Sequence, residues 1–76
     1  MTGQTPILLS QNLRKLREQN GYTQKEIAEL LHCAQVTYSK YETGKRCIPI
    51  QSLIKLAKFY NVSTDYLLGI SDDKLG

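Results

Sequence analysis

Seventy-six residues, 41% hydrophobic and 22% charged with only five Gly and two Pro, describe one ordinary globular domain with a single core, neither a disordered tail nor a two-domain chain. The length leaves no room for a large catalytic cavity, and no apolar run approaches a membrane span. Ten Lys and Arg against seven Asp and Glu give +3, unevenly spread: residues 1–58 hold nine basic and four acidic side chains, whereas 59–76 hold Lys74 against Asp65, Asp72 and Asp73. Such a balance suits a body that faces a polyanion and a C-terminal end turned away from it.

Thr5-Pro6 reads as a helix start, a hydroxyl cap followed by a residue whose missing N–H is not needed there. A first helix is therefore expected from about Pro6, with Leu9, Leu13 and Leu16 as its apolar stripe and Gly21 as a left-handed stop. Thr23-Gln24-Lys25-Glu26 fits a capping box and opens a second helix, with Tyr22 and Ile27 placed as a staple. Ile27, Leu30 and Leu31 form its core face, and Ala28 permits a close helix crossing.

His32-Cys33-Ala34 breaks that period, and a new spacing begins at Tyr38 and Tyr41. A turn of three or four residues between two short helices predicts a helix-turn-helix unit. The third helix ends at Thr43-Gly44, with Lys45 and Arg46 just beyond. Ile50, Leu53, Ile54, Leu56, Ala57 and Tyr60 mark a fourth helix, the most apolar and expected to be the central one, closed by Asn61. Ser63 caps a last short helix with Asp65 in its first turn, Tyr66, Leu67 and Leu68 packing, and Gly69 as its stop; residues 70–76 read as a frayed tail.

On a wheel of about 100° per residue, Tyr38 and Tyr41 set the inward side of the third helix. Val36, Ser39 and Lys40 then point outward, Gln35 lies at the edge and Thr43 extends the face. Gln suits adenine, Lys guanine, Val a thymine methyl, and Ser any base, so these types match a base-reading surface, although the same residues occur on any solvated helix. Context favours the first: Thr23 and Gln24 gather donors suited to a phosphate, and Lys45 and Arg46 place charge at the other end.

The segments Leu13-Arg14-Lys15-Leu16-Arg17, Tyr22-Thr23-Gln24-Lys25-Glu26-Ile27-Ala28, Ser39-Lys40-Tyr41-Glu42-Thr43-Gly44-Lys45-Arg46, Leu53-Ile54-Lys55-Leu56-Ala57-Lys58 and Asn61-Val62-Ser63-Thr64-Asp65-Tyr66-Leu67-Leu68-Gly69 together resemble the phage-repressor, or Cro/XRE-like, family of helix-turn-helix regulators. The resemblance spans roughly Leu9 to Gly69. It implies an all-α, compact five-helix DNA-binding domain, with a core over about 6–69 and the third helix in the major groove. Gln35, Val36, Ser39 and Lys40 would approach bases, and Thr23, Gln24, Thr43, Lys45 and Arg46 phosphates. Arg17 and Glu42 match a family ion pair, which makes Glu42 structural rather than a reader. The chain departs from the family at two positions: His32 stands where Gly is usual, and Ala34 where Ser or Thr caps the third helix.

The resulting expectation is a cytoplasmic DNA-binding transcriptional regulator, not an enzyme, without cofactor, metal or small-molecule ligand. It would act as a homodimeric repressor on a palindromic operator of double-stranded DNA. Tyr60, Tyr66, Leu68, Ile70 and Leu75 are candidates for the dimer contact. His32, Cys33, Glu29 and Cys47 lack a third ligand at metal-site spacing, and Cys33 and Cys47 read as reduced thiols. The alternative is a protein-binding module, an antitoxin-like partner built on the same fold.

Overall fold

The computed structural model describes residues 7–75. Among them are five helices: α1 Ile7–Gln19, α2 Gln24–Leu30, α3 Gln35–Glu42, α4 Ile50–Tyr60 and α5 Thr64–Leu68. The Thr5-Pro6 start signal lies outside the described residues. The helix boundaries follow local chemistry. At α2 the Thr23 hydroxyl accepts from the Glu26 amide at 3.1 Å while the Glu26 carboxylate accepts from the Thr23 amide at 2.8 Å, so two otherwise unpaired donors are satisfied reciprocally. The Ser63 hydroxyl accepts from the Tyr66 amide at the head of α5. By contrast, α3 and α4 open on Ala34 and Pro49 with no side-chain cap.

Helix ends are more uniform than helix starts. His32, at φ 58°, and Asn61, at φ 57°, take the left-handed role that Gly fills elsewhere. The chain then turns back: the Cys33 amide donates to the Ala28 carbonyl and the Val62 amide to the Ala57 carbonyl, which satisfies the last carbonyls of α2 and α4. Gly69 shows what such a position demands. At φ +80° it is left-handed, and a Cβ there would fall 2.7 Å from the Leu8 side chain.

The core consists of Leu9, Leu13 and Leu16 from α1, Ile27 and Ala28 from α2, Tyr38 and Tyr41 from α3, Leu53, Leu56 and Ala57 from α4, and Leu67 from α5. Leu30 and Leu31 pack against it half-buried. The expectation that α4 would be central is corrected: its main helix partner is α5, whereas α1 packs against both α3 and α5, and α3 against both α1 and α2. Two of the apolar residues that marked α4, Ile50 and Ile54, are 64% and 41% exposed. At 100° per residue they stand about 70° and 110° from the middle of the Leu53–Leu56–Ala57–Tyr60 stripe, on its flank.

The segment after α5 makes contacts with that helix. The Ile70 amide donates to the Asp65 carbonyl and the Ser63 amide to the Lys74 carbonyl, while the Lys74 ammonium lies 5.9 Å from the centre of the Tyr66 ring. Residues 70–75 thus fold back across the start of α5. On the other side of that helix, Asn12 donates to the carbonyls of Tyr66 and Leu67 at 3.1 and 3.2 Å. This side-chain bridge from α1 satisfies acceptors that helix geometry leaves open.

Candidate nucleic-acid interface

α3 is anchored by one side. Tyr38 is wholly buried, Tyr41 nearly so and Glu42 8% exposed, and the two tyrosine rings meet edge to face at 6.2 Å between centroids. The opposite side carries Gln35, Val36 and Lys40 exposed and Ser39 half-buried, with exposed Thr43 following the helix. Val36 is 64% exposed, a β-branched apolar side chain offered to solvent between polar neighbours.

At the α2 end of this face, Thr23 is exposed and Gln24 half-buried. The Thr23 hydroxyl is held at 3.2 Å by the same Glu26 carboxylate that binds its amide. At the other end, the amides of Lys45 and Arg46 both donate to the Lys40 carbonyl, at 3.0 and 3.3 Å. Their backbone is thereby fixed against the last turn of α3 while their side chains stay exposed. The Thr43 hydroxyl bonds back to the carbonyls of Ser39 and Lys40.

Behind the face lies a polar cluster that joins three helices. Arg17 Nε donates to Glu42 Oε2 at 2.6 Å and Nη2 to Oε1 at 3.1 Å, the two side chains being 12% and 2% exposed. This is the two-pronged geometry that makes Arg–carboxylate pairs strong. Arg17 Nη1 also donates to the Tyr22 carbonyl at 2.9 Å, and Gln24 Nε2 to Glu42 Oε1 at 3.1 Å.

Burial opposes ionisation of Glu42, but donors from Arg17 and Gln24, with the Tyr38 hydroxyl close by, outweigh it and hold the carboxyl below the usual range. Conversely, the hydrogen bond to Glu42 raises the proton affinity of Arg17. The Tyr38 hydroxyl senses Glu42 without reaching hydrogen-bond geometry, and burial followed by that carboxylate raises its pKa. Burial pushes the nearby Tyr60 phenol up to about 12.

Tyr60, Tyr66 and Leu68 are half-buried and pack against their own core. Ile70 and Leu75 are exposed, and Leu8 lies against Gly69 beside Ile70. Cys33 and Cys47 form no disulfide, and burial raises the Cys33 thiol pKa. The interactions missed from sequence are the side-chain bonds of Gln24 and Asn12, which join positions 18 and more than 50 residues apart. No helical period reveals such pairs.

A family model described as helix-turn-helix matches residues 13–67. The chain belongs to the Cro/XRE-like helix-turn-helix family. That family consists of non-enzymatic, DNA-binding transcriptional regulators. Within it, the chain is 48% identical over 61 residues to the HTH-type transcriptional regulator ImmR of Bacillus subtilis (strain 168), covering 80% of this chain and 48% of that protein. It is 40% identical over 63 residues to the uncharacterized HTH-type transcriptional regulator YobD of the same strain, covering 83% and 56%. The crystal structure of a transcriptional regulator from Listeria innocua superposes with a TM-score of 0.78 at 34% identity, over 80% of this chain and 57% of that one. The chain thus spans about half the length of the curated relatives it matches.

Proposed function

We propose that this domain binds double-stranded DNA sequence-specifically through α3 and so regulates transcription. The observation that carries this reading is the division of α3: Tyr38, Tyr41 and Glu42 lock one side into the protein, while Gln35, Val36 and Lys40 are left facing out. Gln35, Val36, Ser39 and Lys40 read base edges by the pairings their side chains allow. Lys45, Arg46 and Thr43 beyond the reading helix, with Thr23 and Gln24 at the start of α2, hold the flanking phosphates and set the register without selecting sequence. Thr43 reaches a phosphate after its hydroxyl turns from the α3 carbonyls it now serves.

The domain acts as a cytoplasmic homodimer, with two reading helices about 34–36 Å apart on a roughly palindromic operator, and represses by occupying a promoter. In support, no helix among the described residues is long and apolar enough to cross a membrane, and exposed Leu8 lies against Gly69, which exposed Ile70 follows in the chain. This corner, with the outer edges of Tyr66 and Leu68, is the dimer contact, and Tyr60 supports it from within. The same apolar corner favours the second reading, an antitoxin-like module whose partner is another protein.

Selection of binding sites from a random duplex pool tests the proposal. A recovered consensus with two inverted half-sites one turn apart supports it. A pool that stays random after repeated rounds rejects sequence-specific reading, and a single half-site with monomeric sedimentation rejects the dimer.

A further inference from the structure

Gln24 is the outermost member of the Arg17–Glu42 cluster. Its amide nitrogen donates to Glu42 Oε1 at 3.1 Å. An ionised carboxylate offers only acceptors, so the nitrogen of Gln24 and not its oxygen must face Glu42. The amide plane is thereby set from below, by a carboxylate that is itself held by two bonds from Arg17.

A primary amide nitrogen carries two N–H groups. Glu42 takes one; among the described residues the second finds no acceptor, and Gln24 is only half-buried. A freely turning glutamine would show its oxygen to an approaching anion as readily as its nitrogen, and would lose rotamer freedom on being fixed. Gln24 is spared both penalties, because its orientation exists before any ligand arrives. The Arg17 guanidinium offsets the carboxylate charge, so an anion meets a polarised N–H above a neutral pair rather than a bare carboxylate.

We infer that Glu42 is a positioning residue for DNA: by holding one N–H of Gln24 it aims the other at a backbone phosphate, which makes the buried ion pair and the phosphate grip one unit. This rests on the reading of α3 as the helix that enters the groove. It assigns to Glu42 a part in binding besides its part in the fold.

The unmodified protein with a mixed-sequence DNA duplex provides the first test, by NMR of the Gln24 side-chain amide. The expected result is two well-separated proton signals in the free protein, of which only the one not bonded to Glu42 moves downfield as duplex is added. Unmoved or jointly moving signals, while α3 resonances shift, overturn the inference and leave the DNA reading standing. Absence of any duplex-induced change in the protein overturns both.

A double-mutant cycle gives an independent measure. Gln24→Ala should weaken binding to the mixed duplex about tenfold, as expected for a hydrogen bond to a charged group. In a Glu42→Gln background, where residue 42 presents both a donor and an acceptor and no longer fixes the amide of Gln24, the same change should cost less than about twofold. Equal losses in both backgrounds overturn the inference. The NMR test needs no substitution and decides the matter even if Glu42→Gln fails to fold.

Discussion

Arg17 and Glu42 meet across the α1–α3 gap at 2.6 Å, with the glutamate side chain 2% exposed. A buried pair of this kind is costly to break, because the remaining partner stays in the interior without its counter-charge. Glu42→Ala should therefore destabilise the domain by about 3–5 kcal/mol, read from urea unfolding. Replacing both residues, as Arg17→Met with Glu42→Leu, should restore much of that loss, since a packed apolar pair leaves no orphaned charge. A double variant as unstable as the single one would show that the pair adds net stability to the fold.

The same carboxylate sets an acid limit. Its folded pKa lies below the usual range, because the donors around it outweigh the burial that opposes ionisation. A depressed carboxyl contributes stability that is present above its unfolded pKa, near 4.3, and lost as pH falls through the folded value. At the alkaline side the sign reverses. Tyr60 is raised to about 12 by burial, so its contribution is full below the unfolded tyrosine pKa, near 10, and is lost as pH rises towards 12. Thermal melts across pH should show a plateau between these limits, and Glu42→Gln should flatten the acid slope. An acid slope unchanged in that variant would assign acid unfolding to other carboxylates.

The turn between α2 and α3 contains two correctable weaknesses. His32 holds φ 58°, a conformation that costs a non-Gly residue about 1–2 kcal/mol, although His tolerates it better than most. Ala34 heads α3 without a side-chain cap, where Ser typically contributes about 1 kcal/mol. His32→Gly and Ala34→Ser should each raise stability by about 1 kcal/mol, lifting Tm by about 4–8 °C. Neither position is among the proposed base readers, so DNA affinity should hold within about twofold, a shift of under 0.5 kcal/mol. Differential scanning calorimetry and duplex titration check the two halves.

Base reading and phosphate holding separate by salt and sequence. Lys45→Ala should weaken binding to every duplex and reduce the salt slope by about 1, whereas Gln35→Ala should cost about 1–3 kcal/mol chiefly on the preferred site. Fluorescence titrations at several salt concentrations, on the selected site and on random duplex, measure both. An equal loss on both duplexes for Gln35→Ala would remove it from the readers.

The architecture was legible where local chemistry decides. The reciprocal Thr23–Glu26 cap, the Ser63 cap and the left-handed stops mark helix ends within a few residues of themselves. The inward side of α3 followed from the spacing of Tyr38 and Tyr41, both buried. Long-range choices were not legible. Ile50 and Ile54 look like core until the neighbours of α4 are known, and both lie on its exposed flank. The carbonyl of Lys74 meets the Ser63 amide through a return of the chain that no pattern announces. Sequence likewise made Gln24 a candidate phosphate contact without showing that Glu42 already holds one of its two amide protons.

Leu8 fills the space a side chain at Gly69 would need, so the first turn of α1 and the end of α5 occupy the same corner. A methyl group at Gly69 would have to push Leu8 aside while also holding a left-handed backbone, so this corner admits no side chain and ties the end of α5 to α1.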